Sequence, residues 1–294
     1  MKKTIIGIVP NYIEESKDPY DKYFKYTSIY AEKILEENAI PTGILLNDNT
    51  INDKNLEIYD AFIIQGGNKV QKYVYKIIDY AIRNNKPLLG ICLGAEAINI
   101  YSCIKEEATK EENKTKTYEE IYINLKKKYN NTLLQELEPN NIHNNDTKLK
   151  TNYDDLTHEI TIIDKQSLAY QIYKKEKLSV PSMHNFDFKH TGSDFKITAI
   201  ANDNVKEIIE YKKKSHFIIG LHFHPELMKD NEIFKTLVQE AKKDKNKREN
   251  FSKKNLFFYY SKVSILIEPI PLETEISLTP LPETVSPFIT EPLR

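Results

Sequence analysis

The sequence predicts an α/β fold: a mostly parallel central sheet flanked by helices, with a small antiparallel addition. Three observations carry this. Short apolar runs rich in β-branched residues alternate with helix-period segments up to residue 100. A glycine-flanked turn, Gly90-Ile91-Cys92-Leu93-Gly94, joins one such run to a helix-compatible stretch. After residue 156 the pattern changes to closely spaced short strands.

Taken in order, residues 4–10 are apolar and branched and stop at Pro10, as a buried strand does. Residues 20–38 follow a helical period through Phe24, Thr27, Tyr30, Ala31, Ile34 and Leu35. A second strand is expected after Pro41, and residues 61–64 form a third that ends at Gln65-Gly66-Gly67. Residues 70–84 are helical, with Val74, Ile77, Ile78, Ala81 and Ile82 on one side. Leu88 to Ile91 make the next strand, and Ala95 to Ile100 continue as helix. Sheets of this kind bind ligands beyond the carboxyl ends of their strands. Gly66, Gly67 and Cys92 all fall at such ends.

Residues 105–155 are rich in Lys, Glu, Asn and Thr and read as a charged, insertion-like region. Residues 116–137 are compatible with a charged helix whose Lys126, Lys127 and Lys128 form a solvated face, and residues 140–146 read as a loop. Strands follow at 159–164, 177–182, 195–201, 205–212 and 216–223, and residues 231–242 form a closing helix. Residues 1–242 are therefore expected to make one domain. Residues 243–294 form a separate extension. Its charged start, to Lys254, extends the helix, and residues 256–267 are apolar and aromatic. Residues 269–294 are rich in Pro, Glu and Thr and are expected to be disordered, with the extension a candidate contact for a protein partner.

The chain has 294 residues, with 42 Lys and Arg against 43 Asp and Glu. That balance argues against a generic nucleic-acid binder. Only Cys92 and Cys103 are available, too few for a disulfide framework, so a reducing, cytoplasmic setting is expected. The start carries no signal-peptide pattern and no apolar stretch has the length of a membrane span. No His/Cys/Asp group has metal-ligand spacing and Gln65-Gly66-Gly67-Asn68 lacks the Gly-Lys-Ser/Thr ending, so neither metal nor cofactor is expected. His143, His190 and His216 read as surface residues, and His158 as capping a strand.

Cys92 stands between an apolar strand and a helix start, where the helix dipole favours the thiolate. The pattern is the Gly-x-nucleophile-x-Gly elbow with cysteine in the serine's place. A buried core cysteine fits the elbow equally well, because free Cys is a small hydrophobe. A nucleophile needs a base and the base an orienting group. Far downstream, Phe217-Ile218-Ile219-Gly220-Leu221-His222-Phe223-His224-Pro225-Glu226 supplies both. Pro225 ends the strand, and His224 and Glu226, two apart, project to one side.

These two stretches together resemble the class I glutamine amidotransferase superfamily, and within it the gamma-glutamyl hydrolases of the peptidase C26 type. One member of that type cleaves gamma-glutamyl-gamma-aminobutyrate. The likeness extends over residues 4–240 through Thr4-Ile5-Ile6-Gly7-Ile8-Val9-Pro10, Val180-Pro181-Ser182-Met183-His184-Asn185 and Asp203-Asn204-Val205-Lys206-Glu207-Ile208-Ile209-Glu210. The resemblance implies a flavodoxin-like amidotransferase fold and a Cys92-His224-Glu226 triad that cleaves a gamma-glutamyl amide through a thioester. It implies an oxyanion hole from the Leu93 amide and that of Gly66 or Gly67, and substrate contacts at Ser182, His184 and the position of Glu96. The family has Gln where Glu96 and His222 stand, and a His-Gln pair where Asn185 and Phe186 follow His184. A carboxylate at 96 would repel a substrate carboxylate and hold an ammonium. Three readings follow: a gamma-glutamyl amide hydrolase, a glutaminase subunit feeding ammonia to a synthase, and a silent member acting as a binding module. The partner is a small gamma-glutamyl substrate in the first, a protein in the others, with a homo-oligomer also compatible.

Overall fold

Every second residue of the central strands faces a different core, and this alternation places one helical layer on each side of a single sheet. In a computed structural model, residues 3–46, 48, 50–129, 133–139, 141–144 and 156–263 are described, the last thirteen as backbone only. Nine strands form the sheet: β1 (Ile5–Val9), β4 (Ile40–Gly43), β5 (Ala61–Ile64), β6 (Leu88–Ile91), β8 (Thr157–Ile162), β9 (Lys177–Pro181), β11 (Phe195–Ala201), β12 (Lys206–Tyr211) and β13 (Ile218–Leu221). Their order is β4-β1-β5-β6-β13-β12-β11-β8-β9. Pairing is parallel from β4 to β13 and antiparallel from β13 to β9. The antiparallel addition thus continues the same sheet rather than forming a layer of its own.

One core takes Phe62, Ile64, Leu88, Ile209 and Ile218, and is covered by α3 (Lys72–Arg83), α4 (Leu93–Ala108) and α5 (Tyr118–Lys128). The other takes Ala61, Ile63, Leu89, Ile91, Ile208 and Ile219. It is covered by α1 (Ser28–Glu36), α6 (Leu168–Tyr173) and the first turns of α7 (Glu232–Val263). Helix α4 is buried along most of its length, as a helix wedged between a sheet and other helices must be. Helix α5 starts at a capping box between Thr117 and Glu120.

Three expectations need correction. Residues 22–27 are not helical: β2 (Asn11–Glu14) and β3 (Lys22–Lys25) pair as an antiparallel hairpin across a 3-10 turn at Pro19–Asp21, and α1 begins only after Thr27. Tyr12 and Phe24 meet across the hairpin, and the Gln65 side chain binds the Lys25 carbonyl and Thr27 amide. The second strand does not follow Pro41 but contains it, paired with Ile6 on the sheet edge, where a missing N–H costs no ladder bond. The charged helix ends at Lys128, and residues 134–136 form a short strand, β7 (Leu134–Glu136), against β10 (Phe186–Phe188). The remaining short helix is α2 (Asp53–Leu56).

The chain divides into two units, Met1–Glu249 and a second beginning at Asn250, of which only helical backbone to Val263 is described. Within the first unit, Lys245 and Arg248 of α7 bind the buried Asp60, which also accepts from the Ile5 amide. The charged stretch after residue 242 is helical there because two of its cations have a buried carboxylate to meet. The expected disordered stretch, 269–294, lies outside the described residues.

The elbow depends on close packing. A Cβ on Gly94 would lie 2.3 Å from the Ile64 carbonyl oxygen, a backbone atom that cannot step aside. Gly94→Ala is expected to cost about 1–3 kcal/mol, as overpacking does. The check is a lower urea midpoint at unchanged slope.

Candidate active site

Strand β6 lies between β5 and β13, so the loops leaving the three carboxyl ends adjoin. The first brings Gly66 and Gly67, the second Cys92, the third His222, His224 and Glu226. Cys92 has φ 51° and ψ −109°, a conformation side-chain-bearing residues seldom adopt, and it sits at the N-terminus of α4. The glycines around the site all have negative φ. The strain of the turn therefore falls on the cysteine itself.

His224 Nδ1 is 2.7 Å from Glu226 Oε1. Burial disfavours charge on His224, but Glu226 and the Cys92 sulfur outweigh it and push its pKa up to about 10. The position a Cβ would take on Gly66 is 3.2 Å from His224 Cε1 and 3.4 Å from Cys92 Cβ, so this glycine lets the β5 loop close over the pair. The structure thus brings Cys92, His224, Glu226 and Gly66 together.

Tyr30 completes the arrangement and was not anticipated from the sequence. Its hydroxyl donates to Glu226 Oε1 at 2.8 Å and accepts from the Gly66 amide at 3.3 Å. Burial, then the Glu226 charge, raises its pKa far above the ordinary value, so it stays a neutral donor. Of the expected oxyanion donors, the Gly66 amide is accordingly engaged by Tyr30. The Leu93 amide lies in the first turn of α4, where amides lack intrahelical acceptors. Gly67 packs on Asn11, whose side-chain amide binds the Gly66 carbonyl.

Glu96 and His222, the two departures from the family pattern, face each other: Glu96 Oε1 is 3.4 Å from His222 Nε2. His222 is fully buried, donates through Nδ1 to the Lys206 carbonyl, and stacks between Phe188 and His184. Burial opposes its charge, but Glu96 outweighs that and raises its pKa. Glu96, the position where a carboxylate could hold a substrate ammonium, thus has an imidazole beside it. The pair should behave as a unit. Glu96→Gln and His222→Gln are each expected to destabilise by about 1–3 kcal/mol. The double variant should cost less than their sum, by a coupling of about 0.5–3 kcal/mol. Urea denaturation of all four chains measures the cycle.

The loop carrying Ser182 and His184 reaches the site through the Met183 carbonyl, 3.8 Å from the Cys92 sulfur. Ser182 is buried and its hydroxyl makes no hydrogen bond. His184, expected among the substrate contacts, has its Nε2 3.4 Å from Glu207 Oε1. Burial, then His222, lowers its pKa to about 4. His143 and His216 are buried rather than on the surface, and His158 points from β8 to Glu207. His190 stacks on Tyr129 and is partly exposed. Among the described residues no helix is long and apolar enough to cross a membrane.

A parallel sheet with a strained cysteine elbow after its central strand defines a class I glutamine amidotransferase-like protein. The comparisons agree. A model of the peptidase C26 family matches residues 71–226, more than half of the chain. A glutamine amidotransferase-like protein of Rickettsia prowazekii is 24% identical over 286 residues, covering 82% of this chain and 99% of its own length. CTP synthase of Methanosphaera stadtmanae is 29% identical over 216 residues, covering 69% of this chain and 37% of its own. The solved glutaminase domain of Trypanosoma brucei CTPS with bound acivicin shares the fold at TM-score 0.55 and 16% identity, covering 82% of this chain and 94% of that one. The chain belongs to the peptidase C26 family, and its function is of the amidohydrolase type.

Proposed function

We propose that the protein hydrolyses a gamma-glutamyl amide, with Cys92 as nucleophile, His224 as base and acid, and Glu226 holding the imidazole. The observation that carries this is the meeting of Cys92 and His224 beneath Gly66, with His224 Nδ1 2.7 Å from Glu226. The thiol proton rests on His224 Nε2, whose pKa is held near 10, while Nδ1–H stays on the carboxylate. The sulfur attacks the amide carbonyl, and the oxyanion faces the Leu93 amide, with Gly67 as the second candidate donor. His224 then protonates the leaving amine, which departs and leaves a gamma-glutamyl thioester. Water, deprotonated by the same imidazole, releases glutamate and restores the thiol. A panel of gamma-glutamyl amides that includes glutamine, assayed for glutamate release, tests the reading. A thiol-reactive glutamine analogue should label Cys92. Labelling by general alkylators but not by the analogue would overturn the enzyme reading in favour of a binding module.

The match to a CTP synthase over 69% of this chain supports a second reading, a glutaminase that passes ammonia to a synthase partner. Glutamate release by the isolated chain at full rate would count against it. Release that needs an added synthase would favour it.

A further inference from the structure

Beside the thiol site lies a second cluster that the amide chemistry does not use. Glu207 of β12 is fully buried, and three imidazole nitrogens approach its Oε1: His143 Nδ1 at 2.9 Å, His158 Nε2 at 3.0 Å and His184 Nε2 at 3.4 Å. They come from three separate places, the loop 141–144, strand β8 and the loop after β9.

With neutral imidazoles, the donors and acceptors around Glu207 do not pair off. His184 Nδ1 faces the Phe186 carbonyl at 2.9 Å and must donate to it, because a carbonyl only accepts. A neutral His184 therefore turns the Nε2 lone pair towards a carboxylate. His143 Nε2 is 2.9 Å from Asp203 Oδ2 and donates to it, so Nδ1 faces Glu207, where the two carboxylates outweigh burial and favour a positive charge, as a proton or a metal ion, on this ring. Neither His143 Nδ1 nor His184 Nε2 is directed so as to form a hydrogen bond, and Glu207 Oε2 also has none. Three buried polar atoms without hydrogen bonds, two of them beside a carboxylate, call for a cation.

The geometry suits a metal ion. The His143, His184 and Glu207 ligand atoms all lie within 4.8 Å of one another. A tetrahedral ion with bonds of about 2.0–2.2 Å keeps its ligand atoms about 3.3–3.6 Å apart, so small movements close the set. The outer contacts are those that orient metal-bound imidazoles: a carboxylate on His143, a backbone carbonyl on His184 and a His158 N–H on Glu207. We propose that His143, His184 and Glu207 form a buried site for one divalent transition-metal ion of the zinc type. Imidazole and carboxylate ligands without thiolate suit zinc and its neighbours. The ion would clasp two loops to β12. One of them carries Met183, whose carbonyl touches the Cys92 sulfur, so the metal would fix one wall of the thiol site.

The test uses the full chain without a histidine tag and with Cys92→Ser, which removes the other thiolate–imidazole pair able to take up metal. The chain is stripped with chelator, loaded with Zn2+ or Co2+, and dialysed against metal-free buffer. About one equivalent of Zn2+ should remain by elemental analysis, and the Co2+ form should show visible absorption of a tetrahedral ion. His143→Gln should abolish retention. Asp203→Asn, a milder change at a partly exposed residue, should weaken Zn2+ binding about 10–100-fold. Retention below a tenth of an equivalent for both ions would overturn the proposal. So would binding that neither variant changes.

Discussion

Cys92→Ala is expected to lower glutamate release from gamma-glutamyl amides by at least about 10³-fold, because no other group can form the thioester. The measurement is steady-state kinetics on the chain's best gamma-glutamyl amide, with circular dichroism to show an unchanged fold. Cys92→Gly sharpens the test. The φ of 51° at this position strains any side-chain-bearing residue, but not glycine. Cys92→Gly should therefore be as inactive as Cys92→Ala yet more stable than it, by about 1–2 kcal/mol. A chain that tolerates strain at one residue, and loses both strain and activity together, has that conformation for its chemistry. Equal stability of the two variants would mean the elbow geometry is not where strain resides.

The parts of the fold that could be read from the sequence are those where one local pattern decides the outcome. Strands β5, β6 and β13 are short apolar runs in which every residue is buried. Helix α3 shows its buried side through Val74, Ile77, Ile78 and Ala81. The hairpin β2–β3 was illegible because Phe24, Thr27, Tyr30 and Ile34 fit a helical period, while the cross-strand contact of Phe24 with Tyr12 depends on a chain reversal between them. The histidine cluster was hidden for a related reason. Its members become neighbours only because β8, β9 and β12 join one antiparallel half-sheet and His143 folds back onto it. Spacing along the chain carries no trace of that. Tyr30 is similar: its place on the buried face of α1 was readable, its bond to Glu226 was not.

Glu226→Gln keeps the shape of the side chain and removes its charge, and it is expected to lower kcat by about 10²–10⁴-fold. The electrostatic signature is as informative as the rate. The His224 pKa is held near 10 in part by the Glu226 carboxylate, so at pH 8 the ring carries its proton. In Glu226→Gln the carboxylate contribution is gone while burial and the opposing Cys92 sulfur remain, so the pKa should fall. An NMR titration of the His224 ring reads this directly. The sign for stability follows from linkage. With its folded pKa above the unfolded one, His224 stabilises the native state fully below about pH 6.5. That contribution declines above it and is lost as pH rises through about 10. The parent chain should therefore lose more stability than Glu226→Gln between pH 7 and pH 10. Tyr30→Phe separates charge from geometry, because it removes one hydrogen bond to Glu226 and leaves the carboxylate. Its His224 should still titrate high, and its rate should fall by less than about tenfold. If Tyr30→Phe instead matched Glu226→Gln in both rate and titration, the orientation of the carboxylate rather than its charge would be what sustains the imidazolium.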